Sequence, residues 1–353
     1  MPSSNSSFRN SPSFWYQLYG LAPTKRPFRY PLLIAICMAM PALIGALLGD
    51  FQHGLMATMG GTIVMYLIPT SLPKRMLTLS TAAIGFAFCF GLGLLGSVHP
   101  AVSALTLAVT ATLVSLFTGY FRVAPPGNFF FIMVASIATV IPFEPAAIPE
   151  RLGLLMLGSM SSLLLAFVYA LMFKGEEPDQ LVEPIVGAQL HKLVANSIVM
   201  GMFVGGGFWF AHLIGMHNPY WVPISCAAIM QGANMRMVWL RKIHRISGTA
   251  VGMCLAWVLF QYLEGPWALS AAIVVLSFCI ETLIVRNYGY AVVFITPLTV
   301  IFAGVASHGL QTDELVFTRL LDISLGSLIG AIGGLCSHWL APKLIAFWSA
   351  RRI

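Results

Sequence analysis

Charge is what this sequence has least of. Only 9% of its 353 residues are Asp, Glu, Lys or Arg, and 58% are hydrophobic. Soluble domains carry roughly 25% charged residues. A deficit that large excludes a soluble enzyme, a disordered chain and a nucleic-acid binder. Cysteine chemistry is missing too. Cys37, Cys89, Cys226, Cys254, Cys279 and Cys336 lie singly inside apolar runs, with no CxxC pair. A disulfide framework and a zinc site are thereby excluded. There is no phosphate-binding loop, no HExxH and no Ser-His-Asp arrangement, so no ATP-driven step, cofactor or catalysis is expected of this chain. No secretory signal is visible. Residues 1–29 are rich in Ser, Asn and Pro with no apolar core, and Phe14, Trp15, Tyr16 and Tyr19 suit the membrane interface.

What is present is long apolar runs, with a mean hydropathy of +0.85. A spanning helix needs about 20 apolar residues. Cutting at charged and Pro/Gly-rich breaks gives twelve segments: 30–49, 54–68, 77–96, 100–119, 128–142 and 152–173, then 191–214, 220–233, 246–263, 267–285, 289–304 and 320–341. The segments at 54–68 and 220–233 are the least secure. With the N-terminus inside, 17 of the 19 Lys and Arg fall on the cytoplasmic side, and only Arg151 and Arg319 fall outside. The positive-inside rule therefore predicts twelve crossings, with both termini cytoplasmic.

The chain also repeats itself. At an offset of about 166, drifting between 162 and 168, Gly49 meets Gly215 and Pro100 meets Pro266. Arg122 meets Arg286, Gly127 meets Gly289, and Leu157-Gly158-Ser159 meets Leu325-Gly326-Ser327. Two six-helix repeats in one orientation imply a pseudo-two-fold axis along the membrane normal. The predicted fold is an all-α polytopic membrane protein. It divides into a cytoplasmic segment 1–29, a first repeat 30–173, a cytoplasmic linker 174–190, a second repeat 191–341 and a basic tail 342–353. The second and fifth segments of each half are the shortest, and Pro223 and Pro297 fall in the later pair. Short or proline-interrupted segments at matching positions point to a transport site; an ordinary packing kink is the alternative.

Arg122 and Arg286 precede the fifth span of each half. A guanidinium beside a broken helix can receive a carboxylate through two hydrogen bonds, or it can be a snorkelling anchor. Arg241 and Arg245 share one helix face, with Gly248 and Gly252 behind them for close helix packing. That cluster reads either as a topological signal or as an anion-concentrating mouth. Arg151 and Arg319 break the charge rule; they gather anions at the outer mouth, or pair with Glu150 and Asp322. Glu281 follows fourteen apolar residues. An acid inside a span is a functional candidate by default, either for proton coupling or for an ion pair with Arg245 or Arg241. Gln231 and Asn234 end the eighth span, and Phe129, Phe130 and Phe131 open the fifth.

The run Tyr220-Trp221-Val-Pro223, then Gln231, Arg241 and Arg245-Ile-Ser-Gly248-Thr249-Ala-Val-Gly252, resembles the fusaric acid resistance and aromatic acid exporter family. Tyr288-Gly289-Tyr290-Ala-Val-Val-Phe294-Ile-Thr296-Pro297 fits that family as well. It is also similar to the aluminium-activated malate transporters of the same superfamily. The resemblance is strongest over 215–304. It implies a bacterial inner-membrane protein that moves organic anions, often aromatic carboxylates, outward. A periplasmic adaptor and a homo-oligomer are compatible with it. Unlike many bacterial members, this chain has no sizeable cytoplasmic domain between the spans.

The expected pathway lies between the repeats. Arg122 and Arg286 would draw a carboxylate in, and Arg241 and Arg245 would raise its local concentration. Trp221, Asn128, Tyr288, Tyr290 and Thr296 would line the path, with Glu281 the candidate for proton coupling. An exporter, a passive channel and a non-transporting membrane scaffold remain distinct readings. The scaffold requires a dry, apolar interface between the halves.

Overall fold

A computed structural model of the chain describes residues 14–24, 26–173, 187–232, 235–307 and 312–350. Most of the expected linker, the last residues of the tail, Arg9, Lys25, Lys174, Asn234, Arg351 and Arg352 lie outside them. Among the described residues the regular structure is helical, with no strand. Helices α1 to α7 are Phe14–Tyr19, Arg29–Leu47, Phe51–Gly61, Leu72–Gly96, Pro100–Tyr120, Phe129–Ala138 and Ile148–Met172. Helices α8 to α13 are Ala188–Leu213, Trp221–Met230, Met235–Phe260, Gly265–Leu283, Tyr288–Ser307 and Thr312–Ala350. Eight helices are long and apolar enough to cross a membrane: α2, α4, α5, α7, α8, α10, α11 and α13.

The remaining apolar helices are different in kind. α3 has 11 residues, and α6 and α9 have 10 each. At 1.5 Å per residue a ten-residue helix reaches about 15 Å, half of a roughly 30 Å hydrocarbon layer. A 3-10 turn, Thr62–Tyr66, lengthens α3. α6 and α9 are apolar on every side, and most of each of the three helices is sheathed by others. Every residue of Gly54–Gly61, Phe131–Ala138 and Trp221–Ile229 is buried, as expected of a helix hydrophobic all round. Pro223 sits in the first turn of α9, where its missing N–H costs nothing. Pro297 lies inside α12, which runs unbroken from Tyr288 to Ser307. The break expected in that segment is therefore absent, and the helix continues through the proline.

The packing repeats its pattern across the chain. α3 packs on α2 and α7, and α9 packs on α8 and α13. α4 packs on α6, as α10 does on α12. Between the two halves α5 lies on α8, α2 on α11, α6 on α9 and α3 on α12. Small residues set the closest approaches. A Cβ on Gly248 would stand 2.7 Å from the Gly289 carbonyl oxygen, and one on Gly252 would stand 2.6 Å from that of Val293. Only glycine lets α10 and α12 approach so closely. That contact brings the arginine-bearing face of α10 against the start of α12.

Candidate functional site

A cavity of about 600 Å³ lies where the two halves meet. Helical periodicity explains its walls. Arg241, His244 and Arg245 are one face of α10; Ser277, Ile280 and Glu281 are one face of α11. Tyr288, Ile295, Thr299 and Phe302 form a stripe down α12, and Trp221, Ile224, Ala228 and Gln231 form one down α9. The first half adds Met38, Met65, Phe129, Phe130 and Met133, which are apolar. Tyr16, Gln17, Gly20, Ala22 and Arg26 of the N-terminal segment complete the lining. The expected interfacial aromatics thus include one, Tyr16, that faces the cavity.

Four arginines line this space, Arg26, Arg241, Arg245 and Arg286, against a single carboxylate, Glu281. That carboxylate is already engaged: Arg26 Nη1 donates to Glu281 Oε2 at 3.0 Å. Neither Arg245 nor Arg241, the partners expected from sequence, holds it. The Arg26 guanidinium also lies 4.0 Å from the Tyr30 ring centre. The N-terminal segment is tied down beside this pair. Asn287 Nδ2 donates to the carbonyls of Leu18 (3.2 Å) and Gly20 (3.0 Å), and the Ala22 N–H donates to the Arg286 carbonyl at 3.0 Å. His244 Nε2 lies 3.0 Å from the Leu18 carbonyl oxygen. One end of the cavity is therefore covered by Tyr16, Gln17, Gly20, Ala22 and Arg26.

Arg245 is different from the other three. It is only 4% exposed, yet no carboxylate holds it among the described residues. Nη1 reaches Tyr288 Oη at 3.3 Å and Nη2 reaches Ser225 Oγ at 3.4 Å, both long. Among the described residues its Nε has no hydrogen-bond partner. Arg241 Nη1 donates to the Ala228 carbonyl at 3.1 Å, and its guanidinium lies 5.7 Å from the Tyr288 ring centre. Two arginines and a tyrosine hydroxyl thus converge on one wall, opposite a largely apolar one. A cationic spot in an apolar chamber suits an anion with an apolar body.

The structure brings together Arg241, Arg245, Arg286, Tyr288, Trp221 and Glu281 around the cavity. Four expected residues lie elsewhere. Arg122 is exposed at the end of α5, with a backbone φ of 49°, so it and Arg286 do not face one chamber. Asn128 stands behind the wall, donating to Ser115 Oγ at 2.6 Å and accepting from Gln231 Nε2 at 2.7 Å. Tyr290 is 42% exposed, with its hydroxyl on the Tyr19 carbonyl at 3.3 Å. Thr296 is buried, bonded to the Val292 carbonyl at 2.9 Å and packed against Gly252. Sequence reasoning missed Arg26, because nothing local marks a residue whose partner lies 255 positions away. Arg319 it marked as an exception to the charge rule, either at an outer mouth or paired with Asp322.

Two comparisons with known proteins bear on this geometry. The chain is 21% identical to the uncharacterized membrane protein YvaC of Bacillus subtilis (strain 168), an alignment covering 87% of this chain and 72% of YvaC. No solved structure matches. Residues 205–333, which hold α9 to α12 and with them most of the cavity wall, match the family model described as fusaric acid resistance protein-like, and the resemblance read from Tyr220 to Pro297 is borne out there.

Proposed function

We propose that this membrane protein transports organic anions, carboxylates with an aromatic or other apolar body, through the cavity between its halves. The observation that carries this reading is Arg245. A buried guanidinium with an unpartnered Nε and no carboxylate beside it is costly inside a membrane protein, and such residues mark ion and substrate paths. A substrate carboxylate would supply the missing acceptors, with Tyr288 and Arg241 beside it. Trp221, Phe129 and Phe130 would hold the apolar body. A dry, apolar interface between the halves, as a scaffold requires, fits poorly with four arginines lining the chamber.

The reading extends to the architecture. Twelve crossings in two six-helix repeats, both termini cytoplasmic, account for the recurring packing of α2–α3–α7 and α8–α9–α13. In that orientation the Arg26–Glu281 end of the cavity is cytoplasmic, and the N-terminal segment closes it. A covered mouth favours a gated exporter over an open passive channel. The test is benzoate flux from proteoliposomes. The reading requires saturable flux above that of empty vesicles, slowed at least tenfold by Arg245→Gln. Flux no greater than that of empty vesicles overturns it.

A further inference from the structure

The far end of the cavity holds a charged pair that the transport path does not yet use. Trp221 and Thr299 belong to the cavity lining, and both touch Arg319 from behind. The Arg319 guanidinium lies 3.9 Å from the Trp221 ring centre, and its Nη2 donates to Thr299 Oγ1. Arg319 is 3% exposed and Asp322, one helical turn on, is 1% exposed. A same-helix pair was one of the two readings open for Arg319 from the sequence. Among the described residues, neither oxygen of Asp322 accepts a hydrogen bond and Nε of Arg319 donates none. A buried carboxylate without one hydrogen bond is held poorly as an anion. A buried guanidinium with a free donor is equally short of acceptors.

Among the described residues the charged surroundings are few. Tyr220, Arg245 and Asp322 act electrostatically on Arg319, and Arg319 acts on Asp322. α10 thus contributes Arg245, and the residue before α9 contributes Tyr220. α8 also packs on α13; its His191, Lys192 and His212 are not among the groups acting on either residue.

Resting on the transport reading above, we propose that Asp322 takes up a proton when a substrate carboxylate binds Arg319 at the far end of the cavity, away from the N-terminal segment. The charge balances in both states. Without substrate, Arg319 is the counter-charge of ionised Asp322. With substrate, the incoming carboxylate takes that place, and one aqueous proton forms an O–H bond on Asp322. Proton uptake leaves the net charge of the buried cluster unchanged when the anion enters, which spares a low-dielectric site an added uncompensated charge. Arg245 receives the anion first, and Arg319 is the second station, reached when Trp221 and Thr299 move aside. This assigns the coupling carboxylate to Asp322 and leaves Glu281 to hold the N-terminal segment.

The test uses the full chain in detergent, weakly buffered near neutral pH with an indicator dye, and benzoate as the probe. Benzoate is ionised there, so any proton taken up goes to the protein. About one proton per bound benzoate is expected for the natural chain, and none for Asp322→Asn. Undiminished uptake in Asp322→Asn overturns the assignment, as does loss of uptake in Glu281→Gln instead. Binding without uptake in the natural chain overturns it while leaving the transport reading standing. No binding at all removes both. Should Asp322→Asn fail to fold, infrared difference spectra on benzoate binding read the same event. A protonated carboxyl C=O band is expected, shifted in frequency by Asp322→Glu; no band, or one that does not move, overturns the inference.

Discussion

Arg26 and Glu281 form an ion pair of 3.0 Å that joins the N-terminal segment to α11 across 255 residues of sequence. The Glu281 side chain is 7% exposed and that of Arg26 is 29% exposed. The two members are therefore unequal. Removing Arg26 strands a buried carboxylate, which costs about 3–5 kcal/mol, whereas Glu281→Gln leaves a partly hydrated guanidinium and costs less. Thermal melts of Arg26→Ala and Glu281→Gln should fall in that order. Equal melting would mean that the pair contributes little to holding the segment.

The same segment hangs on Asn287. Its Nδ2 serves two carbonyls, Leu18 and Gly20. Asn287→Ala removes both bonds, with a local loss of about 1–3 kcal/mol. Hydrogen exchange at the Ala22 amide, bonded to the Arg286 carbonyl, is expected to speed up tenfold or more. Unchanged exchange at Ala22 would show that the segment is held by something else.

Close packing of α10 on α12 positions Arg245 and Tyr288. A methyl on Gly252 would sit 2.6 Å from the Val293 carbonyl oxygen and 2.7 Å from Thr296 Cβ, both on a continuous helix. Gly252→Ala is expected to destabilise by about 1–3 kcal/mol and to weaken benzoate binding with it. Gly206 in α8 has nothing within 4 Å of its would-be Cβ. Gly206→Ala should be neutral or stabilising by about 0.5–1 kcal/mol through helix propensity. Melting temperatures of the two variants that move together would contradict the packing.

The arginines differ in their expected effect on binding. Arg245 is buried at 4% and bonds only weakly to the protein. A charge-assisted bond to a carboxylate is worth about 1.5–3 kcal/mol, so Arg245→Gln should raise the benzoate Kd roughly ten- to hundredfold. Arg122 is exposed and outside the cavity. Arg122→Gln should change that Kd less than twofold. Titration calorimetry separates the two, and an equal loss in both would contradict the placement of the site.

Much of this was readable in the chain. Apolar runs bounded by charges located the long helices, since a bilayer sets their length. Shortness flagged the segments around 54–68, 128–142, 220–233 and 289–304; α3, α6 and α9 are short and mostly sheathed, whereas α12 runs for 20 residues. The spacing of Arg241 and Arg245 already placed them on one face; that His244 shares it emerged from the structure. What stayed hidden was tertiary. Glu281 finds Arg26 because the N-terminal segment folds back, and no periodicity records that. α12 continues through Pro297, because neighbouring helices can support a proline in a buried span. Arg319 did leave a trace: it was one of two basic residues on the wrong side of the charge rule, and it lies buried against Trp221 rather than at a mouth.

The most direct test is benzoate flux through proteoliposomes holding the natural chain or Arg245→Gln at equal protein content. Saturable flux well above that of empty vesicles, reduced at least tenfold by the replacement, is the expected result. Flux that the replacement leaves unchanged, or that never rises above empty vesicles, contradicts a carboxylate path past Arg245.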